Sequence, residues 1–237
     1  MKLLKNYDNI IYMKDDCLQK IEGRIEIFNA FKNLLLEYNN KYNLTAICDE
    51  KGIFIKHFYD SVLPEKLFFE GAKVVEIGSG GGFPSIPLKI VRDDLHFTLI
   101  ESTGKKCEFL KVVVDKLGLK GVQVKNIRAE DGARTLEMRE KYDIAVARAV
   151  ARLNTLAEYC LPYVKLGGRF IAYKGECQSE LEESKNALEI LGGEIELVEN
   201  FALPENGDRR TVIVIKKVGR TPEKYPRCRG LERKKPL

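Results

Sequence analysis

The run Val74-Val75-Glu76-Ile77-Gly78-Ser79-Gly80-Gly81-Gly82-Phe83 reads as a strand passing into a glycine-rich turn. Glycines such as Gly78 and Gly80 let the backbone pass close to a ligand, which a Cβ would prevent. A nicotinamide fingerprint needs Gly-x-Gly-x-x-Gly, so that amides and a helix N-terminus can hold pyrophosphate. Here Phe83 stands where the third glycine belongs, and Glu76 precedes the first glycine by two residues. A carboxylate at that point repels pyrophosphate but suits a sulfonium and an α-amino group, both cationic. The turn therefore favours S-adenosyl-L-methionine over a dinucleotide.

Glu101 ends the next apolar run, about 20 residues after the glycines, where an acidic residue accepts hydrogen bonds from ribose hydroxyls. Ala129-Glu130, beyond the third run, stands where adenine would lie, although a helix N-terminal glutamate fits Glu130 equally well. Arg148 follows the fourth run, at the edge where a methyl acceptor must meet the cofactor. Lys174, after the fifth, and Arg209, in a later loop, either bring phosphate to that edge or are solvated surface charges. That edge carries neither the Asn/Asp-Pro-Pro-Tyr motif of exocyclic amine methylation nor a cysteine for attack on a pyrimidine carbon. The expected acceptor already has a lone pair, as a ring nitrogen does. Transfer to it needs alignment rather than a general base.

These residues need elements to position them. Leu18, Ile21, Ile25, Phe28, Phe31, Leu35, Tyr38 and Tyr42 recur at helical spacing, with Gly23 between two helices, and a further helix fits Glu50 to Ser61. Residues 1–70 are thus expected to form a helical extension. From about residue 72, strands are expected at Lys73–Ile77, His96–Ile100, Val122–Lys125, Asp143–Ala147, Arg169–Tyr173, Glu194–Glu199 and Thr211–Lys216. Helices are expected at Lys105–Leu117 and Ser179–Leu191. This alternation implies an α/β domain over 71–218 with a mostly parallel seven-stranded sheet. Only the loop Ala202–Arg210 joins the last two strands, so one strand must be reversed. That is the pattern of Rossmann-like methyltransferases, whereas dinucleotide dehydrogenases keep their strands parallel.

The 237 residues are 44% hydrophobic and 32% charged, the composition of a globular protein. No apolar run reaches the ~20 residues of a membrane helix, and the N-terminus lacks a signal-peptide core, so no membrane partner and a cytoplasmic location are expected. Six cysteines without a Cys-x-x-Cys pair and only two histidines predict free thiols and no metal site. The net charge of +5 is concentrated at the C-terminus. There 216–237 carry nine Lys/Arg against two Glu, leaving the body slightly acidic. A polyanionic partner and a solubilising terminus are both compatible with this. Residues 219–237, with three prolines and no periodicity, are expected to be a flexible basic tail.

With these residues assembled, the chain resembles the bacterial ribosomal RNA small-subunit methyltransferase G family (RsmG, or GidB). The resemblance rests on Lys41-Tyr42-Asn43-Leu44-Thr45-Ala46-Ile47, His57-Phe58-Tyr59-Asp60-Ser61 and Gly78 through Pro84. It continues through Asp143 to Ala151 and Lys224-Tyr225-Pro226-Arg227. It implies N7-methylation of one guanine in 16S ribosomal RNA, free or in an assembling small subunit, with S-adenosyl-L-methionine as donor; nothing in the sequence suggests an obligate dimer, and a monomer is expected. By position, Gly78, Phe83, Ala129, Glu130 and Arg148 would contact the cofactor. This moves Arg148 from substrate clamp towards cofactor pocket. His57 and Asp60 either reach the acceptor guanine or fix the helical extension against the sheet; the second role is favoured. The tail departs from the family's Pro-Arg-Lys-Pro-Gly, reading Pro226-Arg227-Cys228-Arg229-Gly230, but stays basic. A small-molecule methyltransferase and a non-catalytic RNA-binding module with an inherited fold are the competing functions.

Overall fold

The computed structural model describes residues 16–204, 207–228 and 230–237. The first fifteen residues of the expected helical extension, residues 205 and 206 of the expected hairpin loop and Arg229 of the tail lie outside them.

The seven expected strands all form: β1 (Lys73–Ile77), β2 (His96–Glu101), β3 (Val122–Asn126), β4 (Tyr142–Arg148), β5 (Val164–Lys174), β6 (Gly193–Ala202) and β7 (Arg209–Lys217). They make one sheet in the order β3-β2-β1-β4-β5-β7-β6. The pairs from β3 through β5 are parallel, and β7 runs antiparallel to both β5 and β6. Because β1, β2, β4 and β5 are parallel and in register, Ile77, Glu101, Arg148 and Lys174 all end at one edge of the sheet. Strand order reverses between β1 and β4, the place where an open parallel sheet opens a crevice.

The strand β5 starts five residues before its expected position. Gly167 has φ +80°, and the pairing with β4 shifts between Tyr142 and Ile144, so the Gly167-Gly168 pair that resembles a turn is a bulge within the strand. A Cβ on Gly168 would lie 2.5 Å from the Asp143 carbonyl oxygen, which explains a glycine there.

At the N-terminus, α1 (residues 16–22) and α2 (Ile25–Tyr42) are separated by a turn at Gly23 and Arg24. Ile21, Phe28, Phe31 and Leu35 of the expected apolar face are fully buried, each ring or branched chain contributing about 1.5–3 kcal/mol. Ile25, beside the break, is 39% exposed. The next expected helix is continuous over 50–62 but not regular. It comprises α3 (Glu50–Gly52), a π-helical segment at Ile53–Tyr59 and α4 (Asp60–Val62). Phe28, Phe31, Phe58 and Phe83 join this helical layer to the face of the sheet that also holds Val74, Leu99 and Val146.

The other helices are α5 (Ser85–Val91), α6 (Gly104–Lys116), α7 (Ala129–Gly132), α8 (Leu153–Cys160), α9 (Gln178–Glu183), α10 (Lys185–Leu191) and α11 (Leu231–Lys234). The expected helix 179–191 is thus two, meeting at Ser184. All eight residues of α8 are buried. It lies under α10 and the C-terminal segment, so even its polar residues Asn154, Thr155 and Glu158 are covered, Thr155 and Glu158 by bonds to Glu232 and Arg227.

The flexible tail expected at 219–237 requires correction for its described residues, which are docked. Arg139 donates to the carbonyls of Thr221 and Tyr225 at 2.8 and 2.9 Å, and Arg134 to that of Pro226 at 2.6 Å. Arg227 pairs with Glu158, which is buried on α8, at 2.7 Å. Glu232 accepts from Tyr159 at 2.7 Å. The segment is fixed by arginine-to-carbonyl bonds and two buried carboxylates, contacts that leave no hydrophobic period in a sequence.

Candidate active site

The turn after β1 is fixed by the strand beside it. The amides of Gly78 and Ser79 donate to the Ile100 carbonyl at 2.9 and 3.1 Å. Gly78 has φ +72°, and a Cβ there would meet Val150 Cγ2 at 2.9 Å. Glycine is required twice over, by backbone conformation and by the close pass of the chain after β4. Gly80 has φ +51° and open space at its Cα, and its amide donates to Glu101 Oε2 at 3.0 Å. Thr103 donates to the other oxygen of Glu101 at 2.8 Å. Two backbone bonds thus aim the carboxylate expected to hold ribose.

Glu76 lies beneath the turn, fully buried, and neither carboxylate oxygen has a hydrogen-bond partner among the described residues. Burial pushes its pKa up to about 8, against the opposing influence of Ser85 and the charge of Arg148. At neutral pH such a group is largely protonated, and a cation placed beside it would favour the ionised form.

Two cavities open at this edge of the sheet. The first, about 360 Å³, runs over the ends of β1, β2 and β3 and is lined by Gly78, Glu101, Ala129, Glu130 and Val150. Its volume suits a small-molecule cofactor. The Ala129 carbonyl is held by the Tyr163 hydroxyl at 2.6 Å, which fixes the β3–α7 turn. Three residues of the C-terminal segment, Gly230, Glu232 and Arg233, complete its wall.

The second cavity, about 340 Å³, lies over the ends of β4 and β5 and is lined by Lys56, His57, Asp60, Arg148, Lys174, Glu180 and Arg210. Arg148 is its centre. Its guanidinium donates to Asp60 Oδ2 at 3.0 Å, the Lys56 carbonyl at 3.2 Å and His57 Nδ1 at 3.1 Å, and lies 5.0 Å above the Phe83 ring. Because Nδ1 accepts from Arg148, His57 carries its proton on Nε2 and donates to Thr45 Oγ1 at 2.7 Å. Burial and the Arg148 charge lower its pKa to about 4, so His57 stays neutral. Asp60 is shared with Arg210, whose Nε lies 3.4 Å from Oδ1. Lys174 is paired with Glu180 at 2.7 Å and donates to the Ala151 carbonyl at 2.8 Å.

The cavities share one stretch of chain. Arg148 and Ala149 line the second, and Val150 lines the first. Gly78, Glu101, Ala129 and Glu130 are thus brought together, and Arg148 and Lys174 meet next door. Two expected residues fall elsewhere. The Phe83 side chain is buried in the core, stacked on His57 with ring centroids 4.3 Å apart, so it supports the site from behind. Arg209 is not in a loop but opens β7, pairs with exposed Glu176 at 3.3 Å and lines a separate groove. Its neighbour Arg210 faces the site, as strand alternation requires once Arg209 faces away. Placing 209–217 on one strand was the signal that could have found Arg210. Glu232 and Arg233 carried no such signal, since nothing in the pattern docks the tail.

The comparisons with known proteins agree with this geometry. The family model GidB, described as rRNA small subunit methyltransferase G, matches residues 24–211. A curated relative of that name from Lactobacillus delbrueckii subsp. bulgaricus is 46% identical over 215 residues, covering 89% of this chain and 90% of its own. Another from Acetivibrio thermocellus is 48% identical over 217 residues, covering 91% and 90%. Among solved structures, an Aquifex aeolicus SAM-dependent methyltransferase aligns with TM-score 0.53 at 18% identity, over 72% of this chain and 94% of that one. A Thermotoga maritima SAM-dependent O-methyltransferase aligns with TM-score 0.52 at 18% identity, over 79% and 72%. At that identity the structures establish the fold alone. The matched family model and the relatives establish more: the chain belongs to the rRNA small subunit methyltransferase G (GidB) family.

Proposed function

We propose that the protein methylates N7 of a guanine in 16S ribosomal RNA with S-adenosyl-L-methionine as donor. The observation that carries this reading is the pair of adjoining cavities, one suited to an adenosine and one rimmed by arginines and lysines, divided by residues 148–150. The residues present fit the donor. Glu76 is a buried acid beside the turn, Glu101 is aimed by two backbone amides, and a Cβ on Gly80 would meet nothing nearer than the Gly78 carbonyl oxygen at 3.8 Å.

S-adenosyl-L-methionine, held at Gly78, Glu101, Ala129 and Glu130, would supply an electrophilic methyl on a sulfonium, and its transfer to the N7 lone pair would leave the thioether and pass the positive charge to the guanine ring. No proton leaves, so the chain needs only to align and screen. Asp60 and His57 hold the Arg148 guanidinium at the join between the cavities. His57, neutral and engaged at both nitrogens, orients rather than exchanges protons. Arg210, Lys56 and Lys174 give the acceptor cavity a positive rim suited to RNA phosphate. Exposed Lys224, Lys234 and Lys235 extend positive charge along the docked tail.

The protein acts in the cytoplasm on 16S ribosomal RNA or an assembling small subunit; the family's ribosomal substrate and the basic residues of the second cavity support this partner. No helix among the described residues is long and apolar enough to cross a membrane. The decisive experiment maps N7-methylguanine in ribosomal RNA from cells with and without the protein, followed by transfer of labelled methyl groups in vitro. Loss of one N7-methylguanine and its restoration by the purified protein are expected. An unchanged RNA, or label appearing only on a small molecule, would overturn the proposal.

A further inference from the structure

The C-terminal segment enters the first cavity with a carboxylate that is only half satisfied. Glu232 is 2% exposed and lines the cavity opposite the β3–α7 turn. Its Oε1 accepts from the Tyr159 hydroxyl at 2.7 Å. That hydroxyl in turn receives Arg233 Nε at 3.2 Å, so its proton is committed to Glu232. The other oxygen, Oε2, is buried with no hydrogen-bond partner among the described residues. A buried carboxylate oxygen without a donor is costly and calls for one from a ligand.

The position of Glu232 selects which donor. On the reading above, the methionine end of the cofactor must face Arg148 and the acceptor cavity, whose lining does not include Glu232. The nucleoside end lies over Glu101 and the turn of Ala129 and Glu130, beside apolar Ile127 and Val150, which suit the faces of a planar base. The ribose hydroxyls fall to Glu101. The remaining donor at the nucleoside end is the exocyclic amine of adenine.

We propose that Glu232 accepts the adenine amine, so that the C-terminal segment supplies the base-selecting group of the cofactor site. The proposal rests on the S-adenosyl-L-methionine reading and adds a specificity residue to it. It also gives the docked tail a role within the binding site, alongside its surface charge. An amine satisfies Oε2, whereas a 6-oxo group would set oxygen against oxygen.

The test is calorimetry with S-adenosylhomocysteine and S-inosylhomocysteine, which differ at C6, amine against oxo, and with it at N1, acceptor against N–H donor. Both are uncharged at sulfur. In the full-length protein the adenine compound is expected to bind about tenfold tighter or more, the order for a hydrogen bond to a charged group. Glu232→Gln keeps an acceptor for Tyr159 and offers an amide donor to the 6-oxo group, so the preference should shrink by about tenfold. Glu232→Ala should lose the Glu232 share of the preference, leaving only what N1 contributes. If Glu232 only anchors the tail, the two affinities fall together and their ratio stays fixed in both variants. That result, or a wild-type ratio near one, would overturn the proposal. A wild-type protein that binds neither compound would instead sink the cofactor reading on which it stands.

Discussion

Arg148 at the end of β4 and Asp60 in the helical extension form a buried ion pair, 3.0 Å between Nη1 and Oδ2, that ties the extension to the sheet. Asp60 also faces Arg210, so one carboxylate balances two guanidiniums from two strands. Asp60→Ala is expected to destabilise the fold by about 3 kcal/mol, since removing one partner leaves a buried charge uncompensated. Asp60→Asn, which keeps an acceptor, should cost less. Urea denaturation of the three proteins checks the order. Equal stability of Asp60→Ala and wild type would show that the pair is not a structural tie.

Gly78 is constrained by its φ of +72° and by Val150 Cγ2, which a Cβ would approach to 2.9 Å. Gly78→Ala should therefore lose about 1–2 kcal/mol from the left-handed conformation alone, with a further loss from the contact. Gly78→Val should in addition abolish cofactor binding while the fold survives. Combining Gly78→Ala with Val150→Ala is expected to recover the contact part of the loss and not the conformational part. A double-mutant cycle in denaturant measures this, and full additivity would mean that Val150 does not limit the turn.

The fold was largely legible because the central strands β1, β2, β4, β5 and β7 carry short buried apolar runs, while the edge strands β3 and β6 show as apolar and polar alternation. Gly78, Glu101, Ala129 and Glu130 were legible for a related reason. Each sits just beyond a strand, and a parallel sheet collects such positions at one edge. The failures share a cause too. Arg210 rather than Arg209 faces the site because one residue of strand register exchanges the faces, and the strand was expected to begin only at Thr211. Helix α8 keeps Asn154, Thr155 and Glu158 on a face that the tail and α10 cover, so its polarity does not mark the surface. The docking of the described tail residues depends on Arg134, Arg139 and Glu158, remote in sequence and visible only in three dimensions.

Glu76 gives the protein a specific pH response. Its carboxyl titrates near 4.5 ordinarily and near 8 in the fold. Below pH 4.5 both folded and unfolded chains hold the proton, and the full stability is present. As pH rises towards 8 only the unfolded chain releases it, so stability falls, by at most about 1.4 kcal/mol for each pH step of one across that window. Glu76→Gln should remove this part of the slope and weaken binding of a cationic ligand. S-adenosyl-L-methionine binding is expected to release a proton below pH 8 and to tighten as pH rises from 6 to 8. Calorimetry in buffers of different ionisation enthalpy detects that proton. Binding without proton release at pH 6.5 would place the sulfonium and α-amino group away from Glu76.

Arg227 and Glu158 hold the C-terminal segment over α8, with the Arg227 amide and guanidinium both donating to a carboxylate that is fully buried. Arg227→Ala removes the guanidinium and strands Glu158, so a loss of about 3 kcal/mol is expected, together with faster hydrogen exchange through 221–235. Because Glu232 and Arg233 lie further along the same segment, cofactor affinity should fall with the exchange protection. Replacing the pair together, Glu158→Leu with Arg227→Met, removes both charges at once and is expected to restore much of the stability. If the tail were only a solubilising terminus, Arg227→Ala would change neither exchange nor affinity. The double replacement separates charge from packing: stability restored without affinity would mean that the segment must be held in register over the cofactor cavity, not merely retained on the surface.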